Sequence, residues 1–259
     1  MNEGFVRPCA ARRQRPPRPG EWRFVFPEEG QTFDEYVATC SNRRTPGRTV
    51  LYLQPLGDPA GRYGRLLALL REFLEAYFQI PVRTRECSAV AAGTLDSTRL
   101  LEALARRVPA DALGLLGVTD RPLSARGMKF VFGESLLGGP VGVASLARLE
   151  TPEVERFFLR ACKLAAHEAG HLFSIRHCIF YECVMQGANT LAEADGHPLE
   201  PCAIDARKLQ WNLGFDPERR LRALEGFFRR MGERIAPDRR ALGGWRKDKK
   251  YGCGAPAEA

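Results

Sequence analysis

The feature that most constrains this chain is a group of three histidines between residues 167 and 177. His167 and His171 stand four residues apart, so on an α-helix their imidazoles lie on one face, one turn above the other. Both rings can then bind one metal ion at about 2 Å. If the helix ends near Ser174, the chain can turn and bring His177 to the same ion. The sequence therefore predicts a helix, a turn and a three-histidine metal site.

Glu168 indicates what such a site would do. It follows the first histidine directly and can reach a metal-bound water without ligating the metal itself. Three protein ligands leave the fourth tetrahedral position of zinc open, which distinguishes a catalytic zinc from a structural one. We therefore predict a catalytic Zn²⁺ held by the three histidines, with Glu168 as the general base that activates the zinc-bound water.

A long amphipathic helix is predicted to carry the histidines. Thr151 suits its N-cap, Pro152 suits its first position, and apolar residues keep helical spacing up to Leu172. Strand-like runs dominate before this helix, and helical patterns dominate after it. The predicted strands cover residues 49–53, 81–84, 113–118, 128–133 and 141–146, and further helices are predicted at 63–78, 97–108, 203–213 and from 216 onward.

Composition limits the class of protein and its location. Apolar residues make up 44% of the 259 residues, enough for a sizeable core, and no apolar run is long enough to span a membrane. The N-terminus lacks the apolar stretch of a secretory signal, so a cytoplasmic protein is expected. Much of the net charge of +8 lies in residues 7–23 and 239–250, where no aromatic residues alternate with basic ones. These segments favour solvated tails over a specific nucleic-acid site, although a nucleic-acid-binding zinc protein stays an alternative.

Three regions are predicted. Residues 1–48 form a basic Pro/Arg-rich segment that is partly disordered, residues 49–235 form the catalytic domain, and residues 236–259 form a basic tail. The chain has eight cysteines, which in a cytosolic protein are more often metal-binding or free than paired. Cys178, Cys183 and Cys202 follow the histidines closely and are the candidates for a metal.

The stretch around the histidines resembles the archaemetzincins, a family of metzincin zinc metallopeptidases. Their pattern continues with a cysteine directly after the third histidine, then C-x-M, then a C-x-x-C pair. This chain has His177-Cys178, Cys183-Val184-Met185 and Cys202 in those places. Residues 51–57, 130–133 and 207–211 are also similar, and the resemblance covers roughly residues 49–230. It implies a metzincin-like α+β or α/β fold, with a mixed twisted sheet and backing helices in an upper lobe, a smaller helical lower lobe, and the active-site cleft between them.

The resemblance also implies roles for further residues. Met185 would be the Met-turn residue, an apolar floor beneath the catalytic metal. In the family four cysteines hold a structural zinc, and here Asp205 stands in the fourth place beside Cys178, Cys183 and Cys202. A carboxylate can ligate zinc, although less typically than a thiolate, and His197 is a rival fourth ligand. A second departure is Ser174, where the family has a glycine.

The function predicted is a zinc-dependent metallopeptidase that hydrolyses peptide bonds with one catalytic zinc; occupancy of the second, structural zinc site stays open at this point. We expect the chain to act as a monomer on a peptide or protein substrate. We expect it to bind neither a membrane nor a specific nucleic acid. The alternative is a non-catalytic zinc-binding interaction module that keeps the fold. Glu168 argues against it, because purely structural binding has no use for a base at that position.

Overall fold

A five-stranded sheet forms the centre of the computed structural model, which describes residues 12–57 and 59–235. The strand order is β2-β1-β4-β8-β7. The first four strands run parallel and β7 runs antiparallel to β8, so the sheet is mixed, as predicted. Their bounds are β1 Val50–Leu56, β2 Val82–Thr84, β4 Ala112–Thr119, β7 Gly133–Ser135 and β8 Val141–Ser145. A separate three-stranded sheet contains β3 Leu95–Asp96, β5 Leu123–Ala125 and β6 Met128–Val131.

Apolar residues cover both faces of the central sheet. Every residue of β4 is buried, as expected for an inner parallel strand that reads as a continuous apolar run. Alternate residues point to opposite faces. Leu115 of β4 packs in the cluster that contains helix α4 (Ser97–Ala105), whereas Leu116 packs in the larger cluster formed with α3 (Pro59–Phe78) and the later helices.

The predicted long helix is α5, Val154–Leu172. It begins two residues later than predicted, because Glu153 and not Thr151 occupies the N-cap position. Phe158, Ala165 and Ala169 are buried along one face, which packs against the sheet and α3. This packing fixes the orientation of the histidine-bearing end.

The helices after α5 follow the sequence closely, with one omission. Helix α7, Ala203–Leu213, has the predicted bounds and ends at Gly214 with φ of 70°. Helix α8 covers Pro217–Ile235. The short helix α6, Leu191–Gly196, lies in a stretch for which no helix was predicted. Thr190 begins it by accepting a hydrogen bond from the Glu193 backbone N–H.

One predicted run of residues divides between two sheets. The expected strand at 128–133 is interrupted, so that Met128–Val131 belongs to the small sheet and Gly133 begins the edge strand of the central one. The predicted strand at residues 141–146 forms β8, which is paired on both sides, so its backbone is not free to bind a peptide. The two edges of the sheet are β7 and β2.

The N-terminal residues that the structure describes pack against the rest of the chain. They contain α1 (Trp22–Val25) and α2 (Phe33–Thr39), and Tyr36 is fully buried in the main core. The boundaries predicted at residues 48 and 235 stay predictions, as does the arrangement in two lobes. The predicted C-terminal tail, 236–259, and residues 1–11 lie outside the described residues. Within the described ranges, no helix combines the length and apolar character needed to cross a membrane.

Candidate metal centre

Helix α5 and the turn after it bring the three predicted histidines together. The His167 and His171 rings lie 4.6 Å apart between centroids, and their Nε2 atoms are 3.0 Å apart. His177 lies 5.2 Å from the first ring and 4.9 Å from the second. One nitrogen from each of the three falls within 4.8 Å of the other two. Two nitrogens bound tetrahedrally to one zinc lie about 3.3 Å apart, so the spacing fits one ion.

The turn depends on Ser174. Its φ is 67°, in the left-handed region where a side chain is strained. Its Oγ accepts a hydrogen bond of 3.2 Å from the Asn42 backbone N–H, and both groups are buried. The serine that replaces the family's glycine therefore takes the glycine's conformation and gains a hydrogen bond there.

Hydrogen bonds fix which nitrogen of each ring is free. His167 Nδ1 lies 2.8 Å from the Val184 carbonyl oxygen, and His171 Nδ1 lies 2.7 Å from that of Ile175. A carbonyl only accepts, so both Nδ1 atoms carry the proton and both Nε2 atoms present lone pairs. Two lone pairs that face each other at 3.0 Å repel unless a cation lies between them. Burial lowers the pKa of His171 to about 3 and that of His167 well below its ordinary value, so both rings are neutral, as a metal requires.

Glu168 is buried beside the histidines and has its own support. Its Oε2 accepts a hydrogen bond of 2.7 Å from Ser135 Oγ on the edge strand β7. Gly133 makes room for the carboxylate, since a Cβ there would lie 2.3 Å from Oε1. Burial raises the pKa of Glu168 to about 8, and the Ser135 hydrogen bond opposes this rise. A cation bound by the histidines would lower it towards the range in which the group can act as a base.

Met185 packs beneath the helix that carries the histidines. A Cβ on Gly170 would lie 2.4 Å from the Met185 sulfur, so the glycine allows this close contact. The Met185 carbonyl accepts a hydrogen bond of 2.8 Å from the Cys178 N–H, which ties the methionine turn to the residue after His177. The predicted role of Met185 as an apolar floor beneath the metal stays a prediction.

Two residues of the N-terminal segment also contact the site. Glu28 Oε1 lies 2.8 Å from His177 Nδ1. The Trp22 ring packs edge-on against the His177 ring, at 5.1 Å between centroids and 83° between planes. No sequence motif pointed to either residue. The signal available was composition, because residues 22–26 read Trp-Arg-Phe-Val-Phe, which is too apolar for a solvated tail.

A cavity of about 820 Å³ opens beside the histidines. Glu168, His167 and His171 form part of its lining. Apolar side chains that are distant from one another in sequence line it as well: Trp22, Phe26, Phe130, Phe132, Leu164 and Leu191. It is large enough for several residues of a peptide, and its lining favours apolar side chains.

The second predicted set is also gathered at one point. Donor atoms of Cys178, Cys183, Cys202 and Asp205, all buried, fall within 4.8 Å of one another. The Cys178 and Cys202 sulfurs are 3.7 Å apart, against about 3.8 Å for two thiolates on one tetrahedral zinc. Asp205 Oδ2 lies 3.2 Å from the Cys183 sulfur. His197, the rival ligand, is not in this group of donors and lines the cavity instead.

A buried lysine accompanies this cluster. Lys208 Nζ lies 2.8 Å from Asp205 Oδ1 and donates a 2.6 Å hydrogen bond to the Gln31 carbonyl. Burial raises the pKa of Asp205 to about 6, and Lys208 opposes the rise. One carboxylate oxygen is thus held by the ammonium while the other faces the thiols. The four donors fit a Cys₃Asp site, and Lys208 would offset part of its negative charge.

Comparison with known proteins agrees with these observations. The model of peptidase family M54 matches residues 96–211. The chain is 30% identical to archaemetzincin-2 of Macaca fascicularis over 256 residues, which cover 80% of this chain and 71% of that protein.

Solved structures of archaemetzincins also match this chain. An archaemetzincin from Archaeoglobus fulgidus, crystallised with malonate, superposes with a TM-score of 0.55 at 32% identity, over 61% of this chain and 99% of that one. An archaemetzincin from Methanopyrus kandleri gives a TM-score of 0.59 at 27% identity, over 66% of this chain and 99% of that one.

The fold and the histidine site define a zinc metallopeptidase, an enzyme that acts on peptide or protein substrates. The chain belongs to the archaemetzincin family. The resemblance inferred from residues 167–202 is therefore confirmed, as are the α+β fold with its mixed sheet and the prediction of a zinc-dependent peptidase.

Proposed function

We propose that His167, His171 and His177 hold the catalytic zinc and that Glu168 is the general base of peptide hydrolysis. The observation that carries the proposal is the pair of Nε2 lone pairs that face each other at 3.0 Å. Their Nδ1 protons are committed to backbone carbonyls, so neither ring can turn its proton towards the other.

Zinc bound there would polarise the scissile carbonyl and lower the pKa of a water in its open position. Glu168 would accept a proton from that water and later deliver it to the leaving amine nitrogen. Ser135 holds one oxygen of the carboxylate, which leaves the other to exchange the proton. Met185 would support the histidines from below through its contact with Gly170.

Strand β7 is the element best placed to bind the substrate backbone. It is the edge strand of the central sheet that lies beside the histidines, and its residues Gly133 and Ser135 contact Glu168. An extended peptide can add to such an edge by main-chain hydrogen bonds. Its scissile bond would then lie beside the base, and its side chains would enter the apolar cavity.

The test distinguishes the residues that bind the metal from the residue that acts as the general base. His171→Ala and His177→Ala should each lose most of the tightly held catalytic zinc, whereas Glu168→Gln should keep it and abolish hydrolysis of a peptide substrate. Metal analysis after dialysis against a chelator gives the first result, and a peptide-cleavage assay gives the second. Loss of zinc from Glu168→Gln to the same degree as from His171→Ala would make Glu168 a ligand and refute the assignment. Full activity of Glu168→Gln would favour a different base.

A second zinc, bound by Cys178, Cys183, Cys202 and Asp205, is part of the proposal. Its support is the burial of all four donors, which lie within 4.8 Å of one another, and the 3.7 Å between the Cys178 and Cys202 sulfurs. The purified protein should then contain two zinc ions per chain. Cys183→Ser and Asp205→Ala should each release one at a lower chelator concentration than the parent, while the catalytic zinc stays. One zinc per chain in the parent would refute the second site.

Other features stay predictions. They are the monomeric state, the cytoplasmic location, the absence of specific nucleic-acid binding, and the division into residues 1–48, 49–235 and 236–259. The interaction-module alternative is decided by the Glu168→Gln assay, because a binding module would not need that carboxylate.

A further inference from the structure

The three histidines differ in what holds their second nitrogen. For His167 and His171 the partner of Nδ1 is a backbone carbonyl of the chain that follows α5, that of Val184 and that of Ile175 respectively. For His177 the partner is a carboxylate, Glu28, which lies 149 residues earlier in the chain. His177 follows the turn and lies outside α5, so it is the histidine whose orientation depends most on a side-chain partner.

The contact of Glu28 has the geometry of an orienting hydrogen bond. Its Oε1 lies 2.8 Å from Nδ1, on the opposite side of the ring from Nε2, so this oxygen does not take the place of a metal ligand. Trp22 packs edge-on against the same ring. One N-terminal segment thus supplies both the hydrogen bond and the packing that fix this imidazole.

The segment is anchored on both sides of Glu28. On one side, the Gln31 amide donates to the Ser174 carbonyl, and its oxygen accepts from the Arg176 N–H. On the other, the Gln14 amide donates to the Cys178 carbonyl at 2.6 Å and to that of Tyr181 at 2.8 Å. These bonds tie the segment to the residues that flank His177 in sequence. Glu28 is therefore held in place by the same short stretch of chain that it supports.

Close packing adds to these anchors. A Cβ on Gly30 would lie 2.3 Å from Phe180 Cζ, and a Cβ on Gly187 would lie 2.4 Å from Trp22 Cδ1. The backbone of Gly30 lies directly against the Phe180 ring, and the Trp22 ring lies directly against the backbone after Met185. Such contacts leave little freedom for the carboxylate to move away from the ring.

We propose that Glu28 is a positioning residue of the catalytic metal site, which holds the His177 imidazole in the tautomer and orientation that present Nε2 to the zinc. This rests on the proposed role of His177 as the third ligand. A carboxylate on the far nitrogen fixes the ring and makes its metal-binding nitrogen more basic, and loss of such a partner typically lowers metal affinity or activity about 10–100-fold. The N-terminal segment is then part of the active site.

The experiment compares three variants of the full chain with the parent. Glu28→Ala removes the acceptor, and Glu28→Gln keeps an acceptor oxygen without the charge. Glu29→Ala is the matched control, since Glu29 is the exposed neighbour. Zinc release is followed during chelator titration, and the catalytic phase is identified as the one absent from His171→Ala. The visible spectrum of the Co²⁺-loaded protein reports the geometry of the ligand set independently of activity.

We expect Glu28→Ala to weaken catalytic zinc binding about 10–100-fold and to shift the Co²⁺ spectrum, Glu28→Gln to recover part of the affinity, and Glu29→Ala to match the parent. If Glu28→Ala binds zinc as tightly as Glu29→Ala while His177→Ala loses it, this proposal is wrong and the ligand assignment stands. Equal losses in all three variants would also overturn it, because packing of the segment would then be the cause. Retention of zinc by His177→Ala would instead contradict the proposed ligand set.

Discussion

Ser174 offers a quantitative test of how the turn between the second and third histidines is stabilised. Ser174→Gly would release the strain of a side chain at φ of 67°, which stabilises the variant by about 1 kcal/mol. Glycine also gives the unfolded chain more freedom, which costs about 0.4–1 kcal/mol. These two effects nearly cancel. The outcome is therefore set by the hydrogen bond from the Asn42 N–H.

That N–H is buried, and Ser174 Oγ is its acceptor at 3.2 Å. Leaving a buried donor unpaired costs about 1–3 kcal/mol. The sum predicts that Ser174→Gly is less stable than the parent by about 1–2 kcal/mol, although it restores the residue typical of the family. For a chain of this size the corresponding fall in melting temperature is about 2–8 °C. Ser174→Ala keeps the strain and loses the same bond, so it should be no more stable than Ser174→Gly.

Both variants and the parent are compared by urea unfolding and by melting after removal of metal, because a variant with altered zinc affinity would otherwise gain a different stabilisation from the ion. Unchanged urea m-values would show that the exposed surface on unfolding is the same and that the free energies can be compared. A Ser174→Gly variant more stable than the parent by 1 kcal/mol or more would refute the reasoning. It would mean that the hydrogen bond contributes nothing and that strain alone decides.

Two further predictions concern the other residues around the metal clusters. Gly133→Ala should keep its zinc, and its rate of peptide cleavage should fall about 100-fold or more. The new Cβ would lie 2.3 Å from Glu168 Oε1 and displace the base. An unchanged kcat would contradict this prediction. Asp205→Cys should raise zinc affinity at the cysteine cluster but destabilise the metal-free protein by about 1–3 kcal/mol, since Lys208 loses its carboxylate partner. Chelator titration measures the zinc affinity, and urea unfolding without metal measures the stability. Adding Lys208→Met to Asp205→Cys should recover the lost stability. If the Asp205→Cys protein is as stable as the parent without metal, the ion pair between Asp205 and Lys208 contributes nothing.

The sequence predicted best where a pattern is local. Spacing of three and four residues identified α5 and α7, and the residues that follow Leu172 indicated the turn. The three histidines proposed as ligands of the catalytic metal could be named because the helix and the turn place them on one side, whereas the four residues of the second set were named from the family resemblance. The continuous apolar run of β4 likewise identified an inner strand.

What the sequence missed depends on contacts between distant residues. The edge of the central sheet could not be predicted, because strand order is set by pairing that leaves no periodic signal along the chain. Ser135 and Gly133 support Glu168 from more than 30 residues away, and neither belongs to the histidine motif. Lys208 faces Asp205 on the same helix face, three residues later, yet a lysine on a helix usually reaches solvent, so its burial has no local signature.

The direct succession of His177 and Cys178 has a consequence for how the protein takes up metal. One residue faces the histidine site and the next faces the cysteine cluster, so a single peptide bond separates the two. A shift of the backbone that improves one site must therefore move a donor of the other. If both hold zinc, their affinities are linked, and thermodynamics requires the linkage to be mutual: filling the cysteine cluster changes the affinity of the catalytic site by the same factor as filling the catalytic site changes that of the cluster. Oxidation or loss of a thiol in the cysteine cluster would then alter catalysis, although no residue of the active-site cleft is changed.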